Sequence, residues 1–168
     1  MKQLNIGVIG LGEIGAVHCD TLLQIPQAKL LAVADIDETR AKQIAEQTGA
    51  QPYQDYQELL AREDIDAVII ATPDHLHKEP CIQAAKAGKH ILVEKPLAMT
   101  LEDSRAINEA VEKANVKLMV GFTLRFFPQY QHAKASIEKG EFGNLISLFA
   151  RRTNLITQSQ RLKGRTGV

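Results

Sequence analysis

At 168 residues the chain suits one domain, or one domain and the start of a second. Hydrophobic residues make up 45%, enough for a real core, and 20 Lys plus Arg balance 20 Asp plus Glu, leaving no basic field for nucleic acid or an acidic membrane. Two unclustered cysteines, Cys19 and Cys81, fit a reduced, cytoplasmic chain rather than a disulfide framework.

Met1-Lys2-Gln3 leads straight into an apolar run, with no signal peptide, and no run approaches a membrane span. The first strand is expected over Leu4 to Gly10. It enters Gly10-Leu11-Gly12-Glu13-Ile14-Gly15, a Gly-x-Gly-x-x-Gly loop that opens a helix over Ile14 to Ile25. Each glycine has a task. Gly10 permits the tight turn, Gly12 lets backbone approach a pyrophosphate, and Gly15 lets helix and strand sit close. The helix N-terminus adds N–H donors and a partial positive charge. Ile14, Val17, Leu22 and Ile25 are expected on the buried face. His18, on the same helix, reads by default as solvent-facing or capping.

The second strand, Leu30 to Asp35, ends in an acid about 20 residues past Gly15, where a dinucleotide site places a ribose-binding carboxylate. Asp35 also reads as a simple helix cap, but its place at a strand end favours the ribose role. A carboxylate there bonds the ribose hydroxyls and repels a 2′-phosphate, so NAD is expected over NADP. Ile36 belongs to the same candidate pocket, and Arg40 is near enough to soften that preference. A helix over Glu38 to Gln47 stops at Gly49, and a short strand over Gln51 to Tyr53 and a helix over Tyr56 to Arg62 follow.

The strand Ala67 to Ala71 runs into Ala71-Thr72-Pro73-Asp74-His75-Leu76-His77. Ligands of open parallel sheets bind beyond the carboxyl ends of the strands, so Thr72 and Pro73 are candidate cofactor neighbours. The same residues form a turn and a cap. His75 and His77 invite a metal reading, but no Cys or carboxylate cluster completes a site, so no metal is expected. A helix over His77 to Ala87 stops at Gly88, and His90 to Val93 is the next strand.

That strand ends in Glu94-Lys95-Pro96. Pro96 holds Lys95 extended and the peptide bond between them is a candidate for cis. Lys95 at a strand end can bond a substrate hydroxyl and stabilise an alkoxide, or it is a surface lysine paired with Glu94; the residues alone support both. Thr100 with Asp103 resembles a capping box for a helix over Leu101 to Asn115, whose buried face carries Ile107, Ala110, Val111 and Ala114. The strand Leu118 to Phe122 follows, then Arg125, an anion ligand or a structural salt-bridge partner. Pro128 opens a helix through Lys139, and Leu145 to Asn154 reads as a strand. Most runs are continuously apolar, as in strands covered on both faces. The order implies an α/β fold, a doubly wound parallel Rossmann sheet over 1–122, with 123–168 the incomplete start of a second α/β domain.

The set resembles the Gfo/Idh/MocA oxidoreductases, two-domain dehydrogenases of sugars and polyols. The resemblance rests on Gly10-x-Gly12-x-x-Gly15-x-x-His18, Ala71-Thr72-Pro73 with His77, and Ala87-Gly88-Lys89-His90. It rests further on Glu94-Lys95-Pro96, Gly121-Phe122 with Arg125 and Pro128, and Gly143-x-Leu145-Ile146. It implies that Lys95 is catalytic and that Glu94, Pro96, Ala71 and His77 join the cofactor site. It implies a sugar or polyol substrate and a homo-oligomer. The family also carries an acid/base His with an Asp in a later segment, and after Arg151 this sequence holds neither. The expectation is therefore the N-terminal half of an NAD-dependent dehydrogenase, truncated and inactive by itself, whose unpaired strand at Leu145 to Asn154 invites self-association. A non-catalytic dinucleotide-binding module or sensor is the alternative. A biliverdin- or dihydrodipicolinate-reductase type is a weaker third, because Glu94-Lys95-Pro96 argues for sugar chemistry.

Overall fold

Residues 3–151 are described in the structure, a computed structural model. Six strands alternate with helices: β1 (Leu4–Ile9), α1 (Glu13–Leu22), β2 (Ala28–Ala34), α2 (Glu38–Thr48), β3 (Gln51–Tyr53), α3 (Tyr56–Leu60), β4 (Ala67–Ile70), α4 (Lys78–Lys86), β5 (His90–Val93), α5 (Leu101–Ala114) and β6 (Leu118–Val120). The strands form one sheet in the order β3-β2-β1-β4-β5-β6, and every pairing is parallel. This is a Rossmann sheet, and its order reverses direction between β1 and β4. The chain divides into two compact units, the first running to Gly121 and the second opening at Phe122.

Side chains alternate across the sheet and feed two cores. Ile6 and Val8 of β1, Leu30 and Val33 of β2 and Ile69 of β4 join Cys19 and Leu22 of α1 and Ala41 and Ala45 of α2. On the other face Ile9, Ala32, Ala34, Val68, Ile70, Ile91 and Val93 meet Leu59 of α3, Cys81, Ala84 and Ala85 of α4, and Ile107 and Val111 of α5. Burial on both faces explains the continuous apolar runs.

Local chemistry sets the ends of the helices. Asp37, Asp55 and Thr100 cap α2, α3 and α5 through their side-chain oxygens. Gly49 and Gly88 take left-handed conformations after α2 and α4. The reverse bond of a capping box is not seen at Asp103, which pairs with Lys78 of α4 at 2.6 Å.

Two expectations fail. The buried face of α1 consists of Gly15, Cys19 and Leu22, while Val17 and Ile25 are exposed. Small residues face the sheet because the helix lies close against it. Nor is the expected strand at Leu145 seen: its described part, to Arg151, pairs with no strand among the described residues, and Leu145, Ile146, Leu148 and Phe149 are exposed. Without a neighbouring strand there is no ladder to satisfy the backbone. Arg152, Thr153 and Asn154 lie outside the described residues.

In the second unit α6 (Pro128–Glu138) starts at a proline preset for helix, and the Phe127 and Tyr130 rings meet at 6.5 Å. Arg125 forms no ion pair among the described residues; its guanidinium lies over the Phe122 ring at 5.9 Å.

Candidate cofactor-binding and active site

The candidate residues gather along the carboxyl edge of the sheet, held there by backbone bonds just past each strand. The N–H of Gly10 donates to Ala34 O, that of Asp35 to Tyr53 O, that of Ala71 to Ile9 O, and that of Glu94 to Ile70 O. The site is thus assembled by the sheet register, with the reversal between β1 and β4 at its centre.

The loop glycines carry distinct constraints. Gly10 has φ +86°, and a Cβ there would come within 2.6 Å of the Thr72 backbone nitrogen. A Cβ on Gly15 would stand 1.9 Å from the Gly10 carbonyl oxygen, so the first turn of α1 and the end of β1 touch backbone to backbone. Gly12 differs, because a Cβ there meets nothing within 4 Å. It is the N-cap of α1, and no side chain caps that end. Leu11 is buried in the core, while Glu13 is exposed. The helix thus presents an uncapped N-terminus beside open space, a cradle suited to phosphate.

Asp35 flanks this cradle and is 8% exposed. Its Oδ2 accepts from the Leu11 N–H at 2.7 Å and its Oδ1 from the Asp37 N–H at 2.9 Å. Arg40 adds Nη1 contacts of 3.1 and 3.2 Å to the two oxygens and reaches Asp37 through Nη2 at 3.2 Å. Ile36 beside it is 85% exposed. The guanidinium therefore sits on the carboxylate itself. Sequence spacing flagged Arg40 but not this clamp.

On the far side of Gly10, the hydroxyl of Thr72 is buried and bonds no protein group among the described residues. A buried orphan donor costs free energy unless a ligand meets it. Together with the space at Gly12 and the carboxylate of Asp35, it fits a dinucleotide. Pro73 is exposed, while His75 is exposed and His77 fully buried. The His77 ring contacts Pro96 O from Nδ1 at 2.7 Å and Thr72 O from Nε2 at 3.0 Å. It braces the turn after β4 against the turn after β5.

That second turn holds Glu94, Lys95 and Pro96, with the Lys95–Pro96 peptide cis. Lys95 is exposed and forms no ion pair among the described residues, so it is not the lysine paired with Glu94. Glu94 instead takes His18 Nε2 at 2.9 Å, and its Oε2 accepts the Lys95 N–H at 3.3 Å. The His18 bond holds the Glu94 carboxyl below the usual carboxylate range, against partial burial that pushes it up. His18 is therefore neither solvent-facing by default nor a cap. No local pattern announces a bond between residues this far apart in the chain. Lys89 of the Gly-Lys-His segment is buried and donates from Nζ to Arg62 O at 2.5 Å and Ile65 O at 2.9 Å, which makes it a structural brace.

Comparison with known proteins agrees with this fold. Residues 4–122 match the Gfo/Idh/MocA family, described as an oxidoreductase family with an NAD-binding Rossmann fold. The chain is 43% identical over 146 residues to scyllo-inositol 2-dehydrogenase (NAD(+)) of Bacillus subtilis, covering 86% of this chain and 43% of that protein. It is similar to the crystal structure of an NAD binding oxidoreductase from Klebsiella pneumoniae, with TM-score 0.79, 36% identity, and coverage of 84% of this chain and 40% of that one. The scyllo-inositol dehydrogenase of Lactobacillus casei, solved with NAD(H) and scyllo-inositol, gives TM-score 0.80, 29% identity, and coverage of 85% and 43%. The chain spans less than half the length of the curated relatives it matches. Among the described residues no helix is long and apolar enough to cross a membrane. By the match over residues 4–122 and the Rossmann sheet that carries it, the chain belongs to the Gfo/Idh/MocA oxidoreductase family.

Proposed function

We propose that the chain binds NAD(H) and presents Lys95 to a sugar or polyol hydroxyl for dehydrogenation. The observation that carries the reading is the open, uncapped α1 N-terminus at Gly12, flanked by the buried Asp35 carboxylate. Backbone N–H groups of Gly12 to Gly15 would hold the pyrophosphate, with the α1 dipole favouring its charge. Asp35 would accept the adenosine ribose hydroxyls where the Arg40 guanidinium turns aside, and its charge at the end of β2 supports NAD over NADP, a preference that Arg40 softens. The buried Thr72 hydroxyl and the Ala71 to Pro73 turn would line the middle of the cofactor, and His77 keeps that turn in place. A bound nicotinamide dinucleotide supplies the hydride acceptor or donor.

Lys95 supplies polar chemistry at the other end. Its Nζ would donate a hydrogen bond to the substrate oxygen and stabilise the negative charge there as the hydroxyl proton would pass to water and the hydride to the dinucleotide. Relatives whose names specify inositol dehydrogenation support a polyol as substrate class. Cofactor binding is the activity that the described residues support by themselves.

The test is calorimetric titration of the chain with NAD(H) and NADP(H). Tighter NAD(H) binding is expected, and Asp35→Ser should weaken it about 10- to 100-fold, the loss of hydrogen bonds to a charged acceptor. The same change leaves Arg40 paired with Asp37 alone and able to meet a 2′-phosphate, so NADP(H) should gain. Tighter NADP(H) binding by the unsubstituted chain would overturn the NAD assignment, and binding of neither would overturn the cofactor reading.

A further inference from the structure

We propose that His18 is a positioning residue that keeps Lys95 available by holding the Glu94 carboxylate away from it. The inference rests on the reading that Lys95 meets a substrate hydroxyl. Glu94 and Lys95 are adjacent opposite charges just past β5, and although neighbours in extended backbone start on opposite faces, the Glu94 side chain already folds back to the Lys95 N–H, within reach of its ammonium. The structure shows another arrangement. Oε1 of Glu94 lies 2.9 Å from His18 Nε2, and Oε2 accepts the backbone N–H of Lys95 at 3.3 Å. A carboxylate only accepts, so Nε2 is the donor. Gly121 closes a further side: a Cβ there would stand 3.3 Å from Oε1, so the carboxylate packs directly on backbone.

The Glu94 side chain is 16% exposed and both of its oxygens are engaged, while Lys95 is exposed and outside any ion pair among the described residues. A lysine locked to its neighbour would offer a neutralised, immobile ammonium. A lysine beside a carboxylate that is already occupied keeps its donors and its mobility. His18 lies in α1, the helix whose N-terminus forms the phosphate cradle, so the bond also ties that helix to the β5 turn carrying Lys95.

The measurement is the acetylation of Lys95 in the full 168-residue chain by limiting acetic anhydride at pH 8, read by mass spectrometry. The exposed Lys113 serves as internal standard. His18→Leu should release Glu94 onto Lys95 and slow its labelling about five- to tenfold relative to Lys113, because an ion-paired ammonium holds its proton more tightly. His18→Gln keeps an amide donor in nearly the same position and should label within about twofold of the unsubstituted chain. Adding Glu94→Gln to His18→Leu removes the competing charge and should restore labelling. Should His18→Leu fail to fold by circular dichroism, His18→Ser removes the same bond and is read in its place. Unchanged Lys95 labelling on loss of His18, or a double variant as slow as the single one, would overturn the proposal. The readout needs no turnover, so it stands apart from any test of Lys95 as a catalytic group.

Discussion

Gly12 and Gly15 stand three residues apart, yet substitution should separate them cleanly. A Cβ at Gly15 collides with the Gly10 carbonyl at 1.9 Å, and neither partner is a flexible side chain. Gly15→Ala should therefore cost about 3 kcal/mol and lower Tm by roughly 6–12 °C. A Cβ at Gly12 meets nothing within 4 Å. Gly12→Ala should leave Tm nearly unchanged and weaken NAD(H) about tenfold or more, because the added methyl stands where phosphate would approach. Thermal melts beside calorimetry check both, and a Gly12→Ala chain that binds normally would remove the phosphate role of that position. Lys95 is tested differently. In a catalytically competent polypeptide carrying this domain, Lys95→Ala should lower kcat by about two to four orders of magnitude with the NAD dissociation constant little changed. Near-normal turnover would reduce Lys95 to a surface residue.

At the scale of the elements, helices α1 and α4 press their cysteines into the two cores. Cys19 and Cys81 are free and fully buried, and burial pushes each thiol up to about 12. The thiolate is the reactive form, so neither should alkylate in the native chain up to about pH 9, and both should react after unfolding. Rapid native labelling of Cys19 by iodoacetamide would mean that α1 leaves the sheet readily. Most strands were legible in the sequence because burial on both faces writes them as apolar runs, and β1 and β4 end within a residue of where those runs predict. The face of α1 was not legible, because close helix–sheet contact selects Gly15 and Cys19 over the larger Val17 and Ile25. The segment from Leu145 carries the apolar run of a strand, yet its described part forms none, because the run becomes a ladder only where a partner strand is paired with it. In the site, the glycine loop and Asp35 announce themselves through spacing. The Arg40 clamp, the His77 brace and the His18–Glu94 bond do not, since each depends on which turns the sheet brings together.

For the whole molecule, parallel strands place every βα turn at one edge, and the reversal of order between β1 and β4 opens a crevice there. The loop after β1, the acid after β2, the hydroxyl after β4 and the lysine after β5 all belong to that edge. The central claim is that one extended dinucleotide spans these turns. Hydrogen–deuterium exchange of the 168-residue chain with and without NAD(H) tests it most directly. The account predicts protection at the amides of Gly12 to Gly15, at Asp35 to Asp37, and at Ala71 and Thr72, with the outer strands and α5 unaffected. Protection confined to other segments, or none under saturating NAD(H), would contradict it.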